Sequence, residues 1–363
     1  MPTESPTATV VPPCVDINEF GPILFVAPSD ADYLPACLLH GLRHLLGGRV
    51  IDYPRYDVAY DDFPVAQREL VYGKGFSVFF LLHELGVDRT DIEAKLAREY
   101  FRLIIFGSIQ REFGLFLMWR QWLDPDRTIF LDGEDSPQVY PCSGRWWRHP
   151  YYWFLPRASR GYLYFKREWT PDSKFNLWHR AVPRSLRRFL PAYRGLRMTS
   201  FAFPEEKIVD RVPPKAKLFA RHVVDPEVAA MLPGSSIGHV FSNECDYFAD
   251  LQSARYSVTT QRSGWDCMRH YEIAANGCVP CFRNLDKKPV SCAPHGLRPG
   301  QNCLLYHSAE ELLRLTDSIS DAEYLKLAEA SLAWAHANST AARAREVLTA
   351  WRSFRANSAS GGH

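Results

Sequence analysis

Short apolar runs alternate with segments of helical periodicity along most of the chain. Residues 22–27 (PILFVA) form an apolar run before the turn-like PSDAD, which is typical of a buried strand. Apolar residues then recur at helical spacing over 34–46, and Gly47-Gly48 ends that helix. Residues 49–53 (RVIDY) predict a second strand. This order indicates a parallel sheet covered by helices.

The alternation continues to about residue 131. Thr90 and Glu93 have the spacing of a capping box and predict a helix that reaches residue 100. A strand, a helix and another strand are then predicted at 103–106, 109–122 and 128–131. The last strand runs into the acidic turn Asp132-Gly133-Glu134-Asp135.

The pattern changes at 140–197, which is dense in aromatic residues and arginine. One interpretation is an insertion packed on the first domain, which we favour because aromatic side chains most often pack. The other is a platform for an acceptor sugar or aglycone. The basic stretch at 183–197 is interpreted as a solvated helix face rather than an anion-binding surface.

Strand and helix signals resume near residue 213. The segments predicted as strands are 217–220, 238–241, 255–260, 278–282 and 303–306, and those predicted as helices are 243–254, 263–276 and most of 309–354. We therefore predict an α/β protein with two doubly wound, Rossmann-like parallel-sheet domains that face a cleft. Residues 20–212 form the first domain, 213–355 form the second, and 1–19 and 356–363 are tails.

Composition narrows the class of protein. A length of 363 residues agrees with two domains. Lys plus Arg number 43 against 41 Asp plus Glu, a balance that disfavours a general nucleic-acid binder. The nine cysteines, including the C-x-x-C of Cys278 and Cys281, are interpreted as reduced buried thiols rather than a zinc site. With no signal core or apolar run of about 18 residues, we expect a soluble, cytoplasmic protein.

The strand–helix–strand unit at 255–283 has the features of an anion-binding site. Ligands of open α/β sheets bind beyond the carboxyl ends of the strands, where helices begin. Ser263 and Asp266 have capping-box spacing, and Gly264 would let a diphosphate approach the backbone. Arg269 and Glu272 lie one turn apart, so the guanidinium suits phosphate oxygens and the carboxylate suits ribose hydroxyls. The alternative is an ordinary i,i+3 ion pair. The predicted donor-binding set is Thr260, Arg262, Ser263, Gly264, Trp265, Asp266, Arg269, Glu272 and Asn276.

Residues 247–286 resemble the donor-binding segment of exostosin-like and related GT-B glycosyltransferases. The matching positions are Leu251, Ser253, Tyr256, Arg269, Glu272 and the Gly-Cys-Val-Pro of 277–280. The resemblance implies a GT-B fold, a nucleotide-sugar donor such as a UDP-sugar, ribose binding by Glu272 and a phosphate role for Arg269. Exostosins are usually membrane-anchored, whereas we expect no anchor for this chain, so their acceptors are not implied here.

Two further questions are whether the reaction needs a divalent metal ion and which residue acts as the catalytic base. Helix and arginine charge at 263–272 can replace a divalent ion, so we expect a metal-independent enzyme without a cofactor, and the acids at 132–135 are the main challenge to this view. An inverting transferase needs a base on the first-domain wall of the cleft. We rank Asp135 and Asp32 ahead of Glu134, whereas a retaining reaction would need no such base.

Two rival functions remain open, a non-catalytic nucleotide- or glycan-binding protein and another nucleotide-sugar enzyme such as an epimerase. A Rossmann dehydrogenase is disfavoured because no G-x-G-x-x-G follows a predicted strand.

Overall fold

A computed structural model describes residues 20–137, 139, 161–170, 182, 183, 185, 186 and 195–360. Its first sheet has, within these residues, six parallel strands in the order β2-β1-β3-β4-β5-β6. The strands are β1 Ile23–Val26, β2 Val50–Tyr53, β3 Leu103–Phe106, β4 Thr128–Asp132, β5 Leu163–Lys166 and β6 Leu196–Met198. The associated helices are α1 Tyr33–Leu46, α2 Ile92–Ala97 and α3 Phe113–Trp119.

The second sheet has four described parallel strands in the order β10-β9-β8-β7. These are β7 Lys217–Phe219, β8 Ala254–Thr259, β9 Val279–Arg283 and β10 Leu304–Tyr306. The helices of this half are α4 Pro226–Met231, α5 Glu244–Ser253, α6 Met268–Ala275, α7 Ala309–Ser318, α8 Asp321–Ala337 and α9 Thr340–Ser360. Two parallel sheets with helices between their strands confirm the predicted α/β architecture.

The sheets form because their strands can be buried on both faces. Every residue of β1 and β3 is buried, as expected for parallel strands covered by helices. In the register of the central strands, Ile23 lies opposite Val50 on one side and Leu103 on the other. Because all strands of a sheet run the same way, their carboxyl ends meet at one edge, where the connecting loops can build a site.

Two elements of the first sheet were not predicted. Strand β5 lies inside the aromatic and arginine-rich segment 140–197, β6 begins at the end of that segment, and both extend the sheet beyond β4. Strand β5 ends in Lys166, and a lysine usually faces solvent, so its sequence is not typical of a buried strand. In the structure the Lys166 side chain is fully buried and paired with Asp132. The prediction that the segment packs as an insertion falls mostly outside the described residues.

Residues 238–241 do not form a strand, so that prediction is wrong. Phe241 packs with Tyr247 instead, at a centroid separation of 5.4 Å, and the segment enters α5 directly. A helix-capping signal is present there, since Asn243 caps α5 by accepting from the Asp246 N–H.

The last helix returns to the first half of the molecule. Although the sequence analysis grouped the terminal helices with the second domain, α9 packs against α1. The two helices cross at Gly41, where a Cβ atom would fall 2.0 Å from the Thr340 carbonyl oxygen. Trp334 of α8 and Trp351 of α9 belong to the same apolar core as Leu38 and Leu42 of α1. None of the helices that the structure describes has both the length and the apolar character needed to cross a membrane.

Candidate functional site

A cavity of about 520 Å³ opens where loops from both sheets meet. Its first wall is built by residues that follow β1, β4 and β5, and its second wall by residues that follow β8 and by α6. The residues predicted from the sequence that line it are Asp32, Glu134, Asp135, Arg262, Ser263, Gly264, Asp266, Arg269 and Glu272. Both sheets thus point the carboxyl ends of their strands at one space, as open α/β sheets do at their ligand sites.

Two acids of the first wall are each bound to an arginine. Asp32 caps α1, since its Oδ1 accepts from the Leu34 N–H at 3.0 Å, and its Oδ2 lies 3.0 Å from Arg111. Asp135 pairs with the buried Arg167. A carboxylate oxygen that accepts from a guanidinium must give up part of that contact before it can bind an acceptor hydroxyl. These contacts weaken both residues as candidate bases.

Glu134 has different surroundings. The side-chain amide of Gln110 faces its carboxylate at 3.0 Å, and within the described residues no cation lies within ion-pair distance. Partial burial raises the pKa of Glu134 above its ordinary value, and the nearby Asp132 carboxylate adds to the rise, while Lys166 and Arg111 oppose it. A carboxylate with a raised pKa is better suited to accept a proton near neutral pH.

The acid that precedes Glu134 has a structural role. Asp132 is buried and accepts from Lys166 at 2.9 Å, from the Tyr164 hydroxyl at 2.5 Å and from the Glu134 N–H at 3.0 Å. Two carboxylates of the acidic turn, those of Asp132 and Asp135, are therefore already paired with cations of the protein. Among the residues that the structure describes, no group of three or more metal-ligating side chains converges.

The second wall begins with a loop rather than a helix. The predicted capping box of Ser263 and Asp266 is wrong, because α6 starts at Met268 and its N-cap is Cys267. Glu168 from the end of β5 accepts the N–H groups of Trp265 at 2.7 Å and of Asp266 at 2.9 Å. These N–H groups, which a helix start at Ser263 would leave free for a ligand, are thus held by a carboxylate from the other sheet.

Asp266 is buried in the same network. Its two carboxylate oxygens accept from the Phe201 N–H at 2.8 Å and from the Tyr271 hydroxyl at 2.9 Å. Its carbonyl accepts from Arg167 at 2.8 Å. The side chain therefore joins the two halves of the molecule instead of capping α6. Burial raises its pKa, and Arg167 opposes that rise.

Gly264 is required for a close approach, but between protein groups. A Cβ atom at this position would lie 2.6 Å from Asp135 Oδ1 and 2.6 Å from Glu168 Oε1. The expected role of Gly264 was to admit a diphosphate to the backbone. In the structure it admits two carboxylates of the first wall.

Arg262 and Arg269 are the free cations of this wall. Within the described residues neither forms an ion pair, although both line the cavity. The Nε of Arg269 is buried without a hydrogen-bond partner there, and its Nη2 lies 3.5 Å from His222 Nε2. Burial together with Arg269 lowers the pKa of His222 to about 3, so the imidazole beside the guanidinium is neutral.

Glu272 lies beside them at 7% exposure. Its Oε1 accepts from the Ser77 hydroxyl at 2.5 Å and its Oε2 from the Tyr247 hydroxyl at 2.9 Å. The i,i+3 ion pair with Arg269 that the sequence left open is not formed between these two described residues. Burial raises the pKa of Glu272, and the Ser77 hydrogen bond and Arg269 oppose the rise.

Three members of the predicted donor-binding set lie elsewhere. Trp265 packs against Phe282, and the Thr260 hydroxyl donates to the Gln261 carbonyl. Asn276 is fully buried at the end of α6, where its amide nitrogen donates to the Glu272 carbonyl at 2.8 Å. Asn276 is the C-cap of α6, and its side chain folds back onto the last turn of the helix.

Other cavity residues were missed by the sequence analysis. They are Tyr33, Tyr72, Gly73, Phe76, Arg111, Arg167, Phe201, His239, Tyr247, Cys267 and Met268, with Ala31 and Gly133. Arg167 could have been found by recognising LYFK as a strand, since the next residue then stands at a carboxyl end. The loop around Phe76 carries no such signal.

Comparisons with known proteins agree with the fold. No protein-family model matches the chain. No curated protein matches its sequence. Among solved structures, HepE from Anabaena in complex with UDP aligns with a TM-score of 0.52 at 10% identity, covering 92% of this chain and 100% of that chain.

Two further structures give the same result. A glycosyltransferase from Rickettsia africae aligns with a TM-score of 0.52 at 12% identity, over 92% of this chain and 98% of that one. An α,α-trehalose-phosphate synthase (UDP-forming) from Burkholderia vietnamiensis aligns with a TM-score of 0.50 at 12% identity, over 93% and 100%. The chain has the GT-B fold of these proteins. The exostosin-like subgroup that the sequence resembles remains an expectation.

Proposed function

We propose that the protein is a glycosyltransferase that moves a sugar from a nucleoside-diphosphate-sugar donor to an acceptor without a divalent metal ion. One observation carries the proposal. The second wall of the cavity presents Arg262 and Arg269, which form no ion pair within the described residues, beside the buried carboxylate of Glu272. Cations without acidic partners and a carboxylate together suit a diphosphate joined to a ribose.

In this proposal the diphosphate binds to Arg262 and Arg269, and the ribose hydroxyls donate to Glu272. Arginine charge takes the place of a metal ion in stabilising the leaving diphosphate. UDP is the first nucleotide to test, because HepE was solved with UDP and the trehalose-phosphate synthase is UDP-forming. The sugar and the acceptor have no assigned contacts.

We propose Glu134 as the base if the reaction inverts the anomeric centre, ahead of Asp135 and Asp32. The acceptor oxygen would form a bond to the anomeric carbon, the bond from that carbon to the diphosphate oxygen would break, and the acceptor proton would pass to the Glu134 carboxylate. The choice rests on its neutral partner Gln110 and its raised pKa, against the arginine partners of the other two acids. A retaining reaction would not use this step.

A nucleotide screen followed by a transfer assay tests the function. We expect UDP to raise the melting temperature, since a ligand at about 100 times its Kd stabilises the native state by roughly 2.7 kcal/mol. UDP-sugars should then release UDP faster when an acceptor mixture is added, and Glu272→Gln should weaken UDP binding in a folded protein. Binding without release or transfer would favour a non-catalytic nucleotide-binding protein, interconversion of the sugar would favour an epimerase, and no nucleotide binding would contradict the proposal.

A further inference from the structure

A loop of the first half of the molecule is embedded in the second half. We call residues 72–80, which lie between β2 and α2, the crossing loop. Its Phe76 is 7% exposed and belongs to an apolar core whose other members, including Tyr247 and Ile273, come from the second half. The rings of Phe76 and Tyr247 stack with centroids 6.3 Å apart. Lys74 of the same loop donates to the Phe241 carbonyl at 2.7 Å.

Ser77 is the residue by which this loop reaches Glu272. It is fully buried, its N–H donates to Glu244, and its hydroxyl donates to Glu272 Oε1 at 2.5 Å. Its φ of +71° is a strained conformation that residues other than glycine rarely adopt unless surrounding contacts hold it. The contacts that hold it both belong to the second half of the molecule.

The position of Ser77 decides whether its contact supports the Glu272 carboxylate or blocks a ligand from reaching it. Glu272 lines the cavity, whereas the buried Ser77 does not, so the serine contacts the carboxylate without being one of the residues that line the cavity. An ionised carboxylate offers about four acceptor positions. Ser77 and Tyr247 use two of them, which leaves acceptor capacity for hydroxyl groups inside the cavity.

We infer that Ser77 is a positioning residue that orients Glu272 for the nucleotide ribose, so that the nucleotide site of one half is completed by the other. This inference rests on the proposed function, because it assumes that Glu272 contacts the nucleotide. It adds that nucleotide affinity depends on the crossing loop being seated, although no atom of Ser77 touches the ligand.

Several charged or titratable groups face Glu272. They are Arg269 and Cys267 from its own segment, Glu244 and Tyr247 from α5, and Tyr33 from α1, while Lys207 pairs with Glu244. A variant that removes only the Ser77 hydroxyl leaves all of these in place. It removes a hydrogen bond that favours the ionised carboxylate, so the pKa of Glu272 should rise further.

The test compares Ser77→Gly with Lys74→Met by calorimetric titration of UDP across pH. Glycine suits a φ of +71°, so Ser77→Gly removes the hydroxyl without disturbing the backbone. We expect it to weaken UDP binding roughly tenfold, as for loss of a hydrogen bond to a charged group. The midpoint of the affinity loss on acidification should also move to higher pH. Lys74→Met loosens the same loop away from Glu272 and should leave that midpoint unchanged.

Two outcomes would overturn the inference. One is wild-type UDP affinity and pH midpoint in Ser77→Gly. The other is an affinity loss equal to that of Lys74→Met with no shift of the midpoint, which would mean that the loop only docks. Glu272→Gln separates this from failure of the proposed function: if that variant binds UDP as wild type does, the nucleotide site itself is wrong and this inference is wrong with it.

Discussion

The two walls of the cavity differ in whether their charged side chains form ion pairs. On the first wall, Asp32 and Asp135 are each neutralised by an arginine, Arg111 and Arg167. On the second wall, Arg262 and Arg269 have no acidic partner among the described residues, and the neighbouring His222 is kept neutral. Side chains that are already paired hold structure, whereas unpaired charges facing a cavity are available to a ligand.

This contrast assigns different tasks to the walls. The second wall suits binding of an anionic donor, and the first wall suits positioning, with Glu134 as its one acid that lacks a cation partner in the described part of the chain. Arg167 and Glu168, both at the end of β5, connect the walls through the 264–266 loop.

The sharpest difference is expected among the three acids of the first wall. Glu134→Gln should lower turnover by about 10²–10⁴ and leave UDP affinity unchanged, because a base acts on the acceptor and not on donor binding. Asp135→Asn and Asp32→Asn should cost less turnover. Steady-state transfer assays and calorimetry on all three variants check this. Normal turnover of Glu134→Gln beside a large loss in Asp32→Asn would reverse the assignment.

The connection between the walls should be visible in stability. Glu168→Gln removes the charged acceptor of two N–H groups and the partner of a buried arginine, so we expect a loss of about 1–3 kcal/mol in the free energy of unfolding. Urea denaturation measures it. Asp321→Asn is the matched control, since its ion pair with Arg255 is exposed and should contribute at most about 1 kcal/mol. Equal losses in the free energy of unfolding for the two variants would mean that the Glu168 contacts between the walls do not stabilise the fold more than an exposed ion pair does.

The pH dependence of turnover should report Glu134. Its pKa is raised, so the protonated, inactive form persists above the usual value of about 4.3 for glutamate. Turnover under donor saturation should therefore rise with pH through a midpoint above that value and then level off. The Glu134→Gln variant should lose this limb. A limb that survives the substitution would belong to a different acid.

The smallest effects should come from the residues that the structure places away from the cavity. Thr260→Ala should change UDP affinity by less than about twofold, because its hydroxyl bonds only to a neighbouring carbonyl and surface substitutions are nearly neutral. Calorimetry beside Arg262→Met, a cavity residue two positions away, provides the comparison. A large loss in Thr260→Ala would show that the second wall extends beyond the cavity lining.

The sequence predicted the second wall better than the first, for physical reasons. Arg269 and Glu272 belong to one short strand–helix–strand unit, so their proximity follows from local spacing. Glu168 is 97 residues from Trp265 and accepts N–H groups that lie before the start of α6 at Met268. Such long-range competition for backbone N–H groups leaves no mark in either segment.

The crossing loop is a second example of a long-range contact that the sequence does not reveal. Ser77 is 195 residues from Glu272, and no periodic pattern surrounds it. Strand β5 was not predicted because the charge of Lys166 is unusual at a buried position. Without β5, Arg167 could not be predicted as a cavity residue. The alternation of apolar runs with helical periodicity thus predicted both sheets apart from β5 and β6, but not the contacts between the sheets.

We propose above that Arg262 and Arg269 of the second wall bind a nucleoside diphosphate without a metal ion. The most direct measurement is calorimetric titration of UDP, in excess chelator, into the wild-type protein and into Arg262→Met/Arg269→Met. We expect the wild type to bind UDP equally well with and without chelator, and the double variant to lose roughly 100-fold or more in affinity while it melts normally, since each charge-assisted contact contributes about 1.5–3 kcal/mol. Binding that disappears with chelator and returns with magnesium or manganese, or a double variant with wild-type affinity, would contradict the account.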